Sequence, residues 1–234
     1  MKTDVQRKRR LAIFGGAVLV VIAAVAVISA VSGGSGSTTP TTAAVATAKS
    51  EFAGIPQKGN VLGNPNAKGT LMVFADMQCP FCKEFETQAF PTLVKRYVKT
   101  GKLKVVFQPI SIIGSDSVIA SRAVVAAASQ NKLFDYTAQF YANQGEENTG
   151  YVTQDFMTKI AKLVPGLNVA KWQSDLNSEA GTSILSQAQT AAQTAKIDST
   201  PSFMVAKNGQ TLKLFQVSAL NAQAFYGELD KITQ

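Results

Sequence analysis

The fold of this chain is decided in one stretch, which reads Thr70-Leu71-Met72-Val73-Phe74-Ala75-Asp76-Met77-Gln78-Cys79-Pro80-Phe81-Cys82-Lys83-Glu84-Phe85. Its first six residues are mainly apolar, a pattern typical of a short strand that is buried on both faces. From residue 81 to about 99, apolar residues recur every four positions and Gly101 follows, which predicts an amphipathic helix. The recurring residues are Phe85, Ala89, Leu93 and Tyr97. Cys79 is therefore expected between the end of a strand and the start of a helix.

The segments that follow predict an α/β domain. Residues 103–109 form the next predicted strand, and the order strand, helix, strand favours a right-handed parallel crossover. Residues 115–196 turn to helical periodicity, with Thr153 as a cap, and are predicted to form a helical insertion. Strands are then predicted at 202–206 and about 210–217, joined by Asn208-Gly209, a type I′ hairpin signal. A last helix places four apolar residues on one face: Ala222, Phe225, Leu229 and Ile232.

The N-terminal region predicts a membrane anchor. Residues 11–31 carry no charge, and these 21 positions suffice to cross a hydrocarbon core of roughly 30 Å as a helix. Five basic residues crowd into residues 1–10, so the positive-inside rule places this tail in the cytoplasm and everything after residue 31 outside it. A cleavable signal peptide is the alternative, but its apolar stretch is usually about 7 to 15 residues long. We expect a retained, single-pass signal anchor in the cell membrane.

Composition divides the exported part into a linker and one domain. Residues 32–59 are rich in Gly, Ser, Thr, Ala and Pro, which predicts a flexible tether, and residues 60–234 are predicted to fold. The chain has a net charge of +8, of which the tail supplies five basic residues and one acid, so +4 remains for the rest. The basic charge mainly sets membrane topology and does not indicate a nucleic-acid partner.

The two cysteines, Cys79 and Cys82, carry the predicted chemistry. A thiolate attacks disulfides, whereas a free cysteine with a pKa near ~8.5 is mostly protonated at neutral pH. At a helix N-terminus, Cys79 would face unpaired backbone N–H groups and the positive end of the helix dipole, both of which favour the anion. Cys82, one turn further, can attack a mixed disulfide held by Cys79. Pro80 fits between them because the first helical turn does not need its N–H group.

Two other roles for the cysteines are weaker. An inert disulfide would close a loop of about four residues, for which the chain-entropy model gives only ~2 kcal/mol, against ~4.7 kcal/mol for a hundred-residue loop. A closed zinc site takes four ligands, and the chain has neither a third cysteine nor any histidine. We therefore expect redox chemistry, with no metal and no cofactor of the chain's own.

Thr200-Pro201 is a second feature of interest, because it directly precedes the predicted strand at 202–206. A proline there needs an edge, a bulge or a cis bond, and a generic X–Pro bond is cis in only about 5% of cases. At these residues and at 74–85, the chain resembles the DsbA-like proteins of the thioredoxin superfamily. The lead-in at residues 62–67, Leu-Gly-Asn-Pro-Asn-Ala, is similar too.

The resemblance spans about residues 61–234. It implies a thioredoxin fold, with a mixed central sheet flanked by helices, carrying the helical insertion and preceded by the transmembrane helix. It also implies that Pro201 is a cis-proline facing the cysteines and that the Thr200 backbone pairs with a bound peptide strand.

The chain departs from that family at three places. Phe81 stands where strongly oxidising relatives carry a thiolate-stabilising histidine, which predicts a less depressed pKa for Cys79 and a potential below about −120 mV. Val73 stands where many relatives have a buried acid, a role that Asp76 or Glu84 could fill. The stronger expectation is that Asp76 caps its loop and that Glu84 lies in the first helical turn. The third departure, Thr200 before the proline, is shared with isomerases and reductases.

The expected function is extracytoplasmic thiol-disulfide exchange, with three forms in view. The first is an oxidase that takes electrons from thiols of exported proteins and is reoxidised by a membrane partner of the DsbB or VKOR type. The second is a reductase or isomerase in the same compartment, and the third is a non-catalytic peptide-binding module. We expect a monomer, with Cys79, Cys82, Pro80, Phe81, Thr200 and Pro201 as its site residues.

Overall fold

A computed structural model describes residues 52–234 of the chain. The predicted tail, the predicted spanning helix and residues 32–51 of the predicted linker lie outside the described residues. Within the described part, no helix combines the length and the apolar character needed to cross a membrane.

A six-stranded mixed sheet forms the centre of the domain, with the strand order β1-β2-β4-β3-β5-β6. Its strands are β1 Gln57–Lys58, β2 Val61–Leu62, β3 Gly69–Ala75, β4 Leu103–Pro109, β5 Ser202–Lys207 and β6 Lys213–Phe215. Strand β3 is parallel to β4 and antiparallel to β5, and both β3 and β4 alternate before ending in three consecutive buried residues. The predicted strands at 70–75, 103–109 and 202–206 are confirmed, as is the parallel pairing of the first two.

One long helical run, α1, follows β3 and carries both cysteines. It consists of α-helical turns at Pro80–Glu84 and Phe90–Leu93 alternating with π-helical turns at Phe85–Ala89 and Val94–Val98. Residues spaced by four drift by about 40° per step on a regular α-helix, and the wider π turns reduce this drift. The four apolar residues predicted at that spacing are all buried. Pro91 follows the first π turn, a position where the missing N–H of a proline is accommodated within a helix.

The helical insertion lies between β4 and β5. Its helices are α2 Ser115–Ala128, α3 Leu133–Ala142, α4 Gln154–Leu163, α5 Val169–Ser174 and α6 Glu179–Ala195, with a short 3₁₀ turn at Asp175–Asn177. The predicted cap is confirmed, because the Thr153 hydroxyl accepts a hydrogen bond from the Phe156 N–H at 3.1 Å. Trp172 is fully buried, and its indole N–H donates to the Ala123 carbonyl at 2.8 Å. The insertion is therefore a packed subdomain with its own buried side chains.

A phenylalanine cluster holds α1 on the sheet. The ring of Phe85 lies 4.9 Å from that of Phe203 on β5 and 5.5 Å from that of Phe225. Phe225 belongs to the last helix, α7 Gln223–Ile232, whose predicted apolar face is confirmed as buried. Aromatic pairs at these centroid distances add to the free energy gained from burial alone. The start of α1 is thus seated on the sheet edge at which β3 ends.

Two predictions are corrected by the structure. Phe52 and Ile55 are buried in the core and β1 begins at Gln57, so the folded domain starts before residue 60; a sparse apolar content did not prevent these two side chains from packing.

The predicted type I′ geometry of the turn at Asn208-Gly209 is also wrong. Gly209 has a positive φ but Asn208 does not, and the Gln210 N–H bonds the Lys207 carbonyl, a pattern typical of a type II turn. The Asn208 N–H instead bonds the Lys68 carbonyl, which continues the pairing between β3 and β5.

Candidate active site

Cys79 lies in the turn between β3 and α1, where it is the N-cap residue of the helix. Its backbone is extended, at φ −67° and ψ 120°, and Pro80 occupies the first helical position. The Cys79 N–H bonds the Asp76 carbonyl at 3.0 Å, and its own carbonyl accepts the first helical hydrogen bond from Lys83 at 3.2 Å. The first turn contains no acidic residue, so nothing there opposes a negative charge on sulfur.

The Thr200–Pro201 bond faces the cysteines, as the resemblance implies. It is the one cis peptide bond of the described residues, and it directly precedes β5. In its thiol form Cys79 donates a hydrogen bond to the Thr200 carbonyl, and the two atoms lie 3.2 Å apart although 121 residues separate them in sequence. Cys79 is 4% exposed and Cys82 is 1% exposed, and neither forms a disulfide in this structure.

The two thiols differ in acidity because their surroundings differ. A hydrogen bond from the Cys82 side chain lowers the pKa of Cys79 to about 6 against the opposing effect of burial, with smaller contributions from the Thr200 side chain and from the backbone of Cys82 and Phe81. Burial raises the pKa of Cys82 well above its ordinary value, and the hydrogen bond and charge of Cys79 raise it further. At neutral pH, Cys79 is the thiolate and Cys82 keeps its proton.

An open cavity of about 440 Å³ lies beside the cysteines, between the start of α1 and the last strand of the sheet. Phe81 and Leu214 stand on its walls with exposed fractions of 60% and 50%. The residues that line the cavity are Phe81, Glu84, Thr200, Pro201, Ser202, Phe203, Leu214, Phe215, Gln216, Val217, Ser218, Ala219 and Leu220. We call this cavity the cis-proline groove. It brings Phe81, Thr200 and Pro201 together on one surface, next to Cys79.

The acids considered from the sequence have different positions. Asp76 is fully buried, and its carboxylate accepts hydrogen bonds from the backbone N–H groups of Gln78, Ile112 and Ile113 at 2.8 to 3.1 Å, which confirms the loop-capping role. The expectation that Glu84 lies in the first helical turn is wrong. It is the fifth residue of the helix, because Cys79 is the N-cap, and it lines the cis-proline groove.

Val73 is 2% exposed between Phe107 and Phe203, so the place of the family's buried acid is apolar here. A buried acid that the sequence analysis missed is Glu86, four residues beyond Cys82 on α1 and 7% exposed. Its spacing from Cys82 was the available signal, because residues four apart lie on one face of a helix.

The helical insertion contributes a second set of residues that sequence reasoning missed. The Gln144 side-chain amide donates to the carbonyls of Met77 at 2.9 Å and of Cys79 at 3.2 Å. The Tyr141 hydroxyl donates to the Asp76 carbonyl at 3.0 Å. The Gln78 side chain is bonded to the Ser117 hydroxyl and to the N–H of residue 148. We call Gln144 and Tyr141 the insertion clamp, because they belong to the insertion and hold the loop that carries Cys79, while Gln78 on that loop bonds the insertion in turn; no local motif marks these contacts in the sequence.

Within residues 52–234, no group of three or more His, Cys, Asp or Glu side chains is placed to hold a metal ion.

Comparisons with known proteins agree with this geometry. The family model described as thioredoxin matches residues 56–216. A probable disulfide bond formation protein D of Bacillus cereus is 28% identical over 150 residues, which cover 63% of this chain and 69% of that protein. The disulfide bond formation protein D of Bacillus subtilis is 26% identical over 157 residues, covering 66% of this chain and 70% of that protein.

Solved structures show the same fold. The crystal structure of oxidised BdbD from Bacillus subtilis has a TM-score of 0.65 at 21% identity, with 76% of this chain and 97% of that chain covered. A thioredoxin-like oxidoreductase from Silicibacter pomeroyi has a TM-score of 0.59 at 25% identity, with 78% and 95% covered. The chain therefore belongs to the thioredoxin family, within which it is a DsbA-like thiol-disulfide oxidoreductase.

Proposed function

We propose that the chain oxidises cysteine pairs of exported proteins, with Cys79 and Cys82 as the redox centre. One observation carries the proposal: the pKa of Cys79 is lowered to about 6 at the N-terminus of α1, while the pKa of the buried Cys82 is raised. A thiolate of low pKa is a good leaving group and stabilises the dithiol form. A disulfide between these two residues therefore tends to accept electrons.

The reaction proceeds in two exchanges. A substrate thiolate attacks the Cys79 sulfur of the Cys79–Cys82 disulfide, a new S–S bond forms to the substrate, and Cys82 leaves as a thiolate and takes up a proton. The second substrate thiolate then attacks the substrate sulfur of this mixed disulfide, and Cys79 leaves as a thiolate. Two electrons pass from the substrate to the cysteine pair, and the substrate gains one disulfide. In the reverse direction Cys79 is the nucleophile and Cys82 the resolving thiol.

The neighbouring residues position the substrate. Pro80 starts α1 without an N–H group that would need a partner, and Phe81 presents an exposed apolar ring beside Cys79. The backbone of Thr200 and the cis bond to Pro201 offer an edge with which an extended peptide pairs, because they precede β5 and lie against the Cys79 sulfur.

The site of action that we propose is the outer face of the cell membrane. Residues 11–31 anchor the chain, residues 1–10 remain in the cytoplasm, and the tether holds the domain close to the bilayer. Reoxidation falls to a membrane redox partner of the DsbB or VKOR type, which passes the two electrons on to a quinone. Exported proteins with reduced cysteines supply these two electrons.

The test uses the full chain in detergent, preloaded as the disulfide and mixed with a reduced, unfolded two-cysteine protein. We expect one substrate disulfide per turnover for the wild type and a loss of at least about 10³-fold for Cys79→Ala. Equal behaviour of the two proteins would remove the enzymatic proposal and leave a peptide-binding module. Thiol alkylation in growing cells then reports the physiological direction of electron flow, and we expect the Cys79–Cys82 pair to be mainly oxidised.

A reductase or isomerase is the second candidate, and one observation favours it. Threonine precedes the cis-proline here, a feature that the resemblance to the superfamily implies is shared with its isomerases and reductases. A pair trapped mainly as the dithiol in growing cells would select this candidate over the oxidase.

A further inference from the structure

The cis-proline groove carries a single ionisable side chain among its described residues. Of the thirteen described residues that line it, Glu84 is the only one with an ionisable side chain, and the others are apolar or neutral and polar. Glu84 is half-buried, and none of the ion pairs found within residues 52–234 includes it. A carboxylate in a concave, partly desolvated wall interacts with an incoming charge more strongly than one on a convex surface.

The position of Glu84 links it to the substrate path. It lies three residues after Phe81 on α1, so both side chains project from one face of the helix towards the groove. Across the groove stands Leu214, half-exposed on the edge strand β6. A peptide that reaches Cys79 along this groove meets apolar surface on both walls and a single negative charge.

We propose that Glu84 is a specificity-determining residue, which makes the groove select extended substrate segments that carry a lysine or arginine close to the reacting cysteine and an apolar neighbour. The proposal rests on the proposed function, because it concerns the substrates of the same redox centre. The apolar neighbour contacts Phe81 and Leu214, and the cationic side chain pairs with the Glu84 carboxylate.

The sign of the overall charge makes the proposal easy to separate from a long-range effect. Residues 52–234 contain 17 basic and 13 acidic residues, a net charge of +4, so the domain as a whole attracts acidic peptides. Charges further away than a Debye length of about 8 to 10 Å are largely screened at physiological salt. A preference for basic peptides must therefore come from a local acid, which in this groove is Glu84.

The experiment compares three reduced two-cysteine peptides. They have the same apolar residue near the reacting cysteine and differ only at the neighbouring position, which holds Lys, Gln or Glu. The full chain in detergent, in its disulfide form, should show kcat/KM in the order Lys, Gln, Glu. We expect about three- to tenfold between Lys and Glu, mainly in KM, and a smaller ratio at high salt. Glu84→Gln should bring the Lys to Glu ratio to within about twofold, and Glu84→Lys should reverse it.

Glu179→Gln is the matched control, because it removes the same charge from an exposed position on α6, outside the groove, and should keep the wild-type ratio. A general loss of activity in any variant cancels in the ratio between two peptides. If the wild type shows no preference for the Lys peptide, or if Glu84→Gln keeps the wild-type preference, the inference is overturned. The proposed function still stands in that case, because the peptides are oxidised. If no peptide is oxidised by the wild type, both fail.

Discussion

The two sides of Cys79 differ in solvent exposure and in hydrogen bonding. On one side the cis-proline groove is open, and its walls expose Phe81 and Leu214. On the other side the insertion clamp is buried or half-buried, and its polar atoms are bonded to the backbone on either side of the cysteine. The contrast teaches how one thiol is made both reachable and rigid. The groove leaves room for a peptide, whereas the clamp holds the loop so that the sulfur keeps its place at the helix N-terminus.

The largest expected effect comes from the hydrogen bond that the Cys82 thiol donates to the Cys79 sulfur. Cys82→Ala removes the main cause of the low pKa of Cys79, which lies at about 6 in the wild type. A hydrogen bond to a charged group contributes about 1.5 to 3 kcal/mol, and 1.36 kcal/mol corresponds to one pKa unit, so the midpoint should rise by about one to two units. Alkylation rate against pH measures it.

The direction of this change in alkylation rate with pH follows because the thiolate is the reactive form of Cys79. In the wild type the alkylation rate of Cys79 falls as the pH drops through about 6, and in Cys82→Ala the same fall occurs at a higher pH. Cys82→Ser is the matched control, because its hydroxyl can still donate to the Cys79 sulfur, and its midpoint should lie between the other two. Identical midpoints for Ala and Ser would contradict the assigned cause.

A smaller effect is expected from Phe81, which faces the open side. Phe81→His supplies a group that can stabilise the thiolate, so it should lower the pKa of Cys79 and raise the reduction potential by about 30 mV for each tenfold change in the equilibrium constant. The wild type should lie below about −120 mV. Equilibration with glutathione measures both. Phe81→Ala removes the ring without adding a donor and should leave the potential nearly unchanged; a shift as large as that of the histidine variant would point to the ring itself.

The smallest effect is expected on the closed side. Gln144→Ala leaves the carbonyls of Met77 and Cys79 without their side-chain donor, which should lower the free energy of unfolding by about 1 to 2 kcal/mol. Gln154→Ala is the control, because its amide bonds only the exposed Thr158 hydroxyl. Urea unfolding of the two full-length variants gives the difference. A Gln144 variant as stable as the control would show that the clamp does not hold the loop.

Local pattern was sufficient for the elements around the cysteines. The strand before Cys79 and the helix after it follow from short-range periodicity, and the structure has them at Gly69–Ala75 and from Pro80 onwards. The turn after β5 was predicted at the right residues but with the wrong type, because the Asn208 N–H is taken by the carbonyl of Lys68, a residue 140 positions away. Burial of Phe52 and Ile55 was missed for the same kind of reason: two apolar side chains in a polar stretch pack only when a core is present to receive them.

What the sequence by itself determined is the chemistry: two cysteines one turn apart at the start of a helix, with no histidine and no third cysteine to suggest another use. What only the tertiary structure decided is the environment of those cysteines. The contact of Cys79 with Thr200, the clamp from the helical insertion and the position of Glu84 in the groove all join residues that are distant in sequence or depend on helix phase. Such contacts have no short-range signal, because they form only when the sheet and its helices have packed.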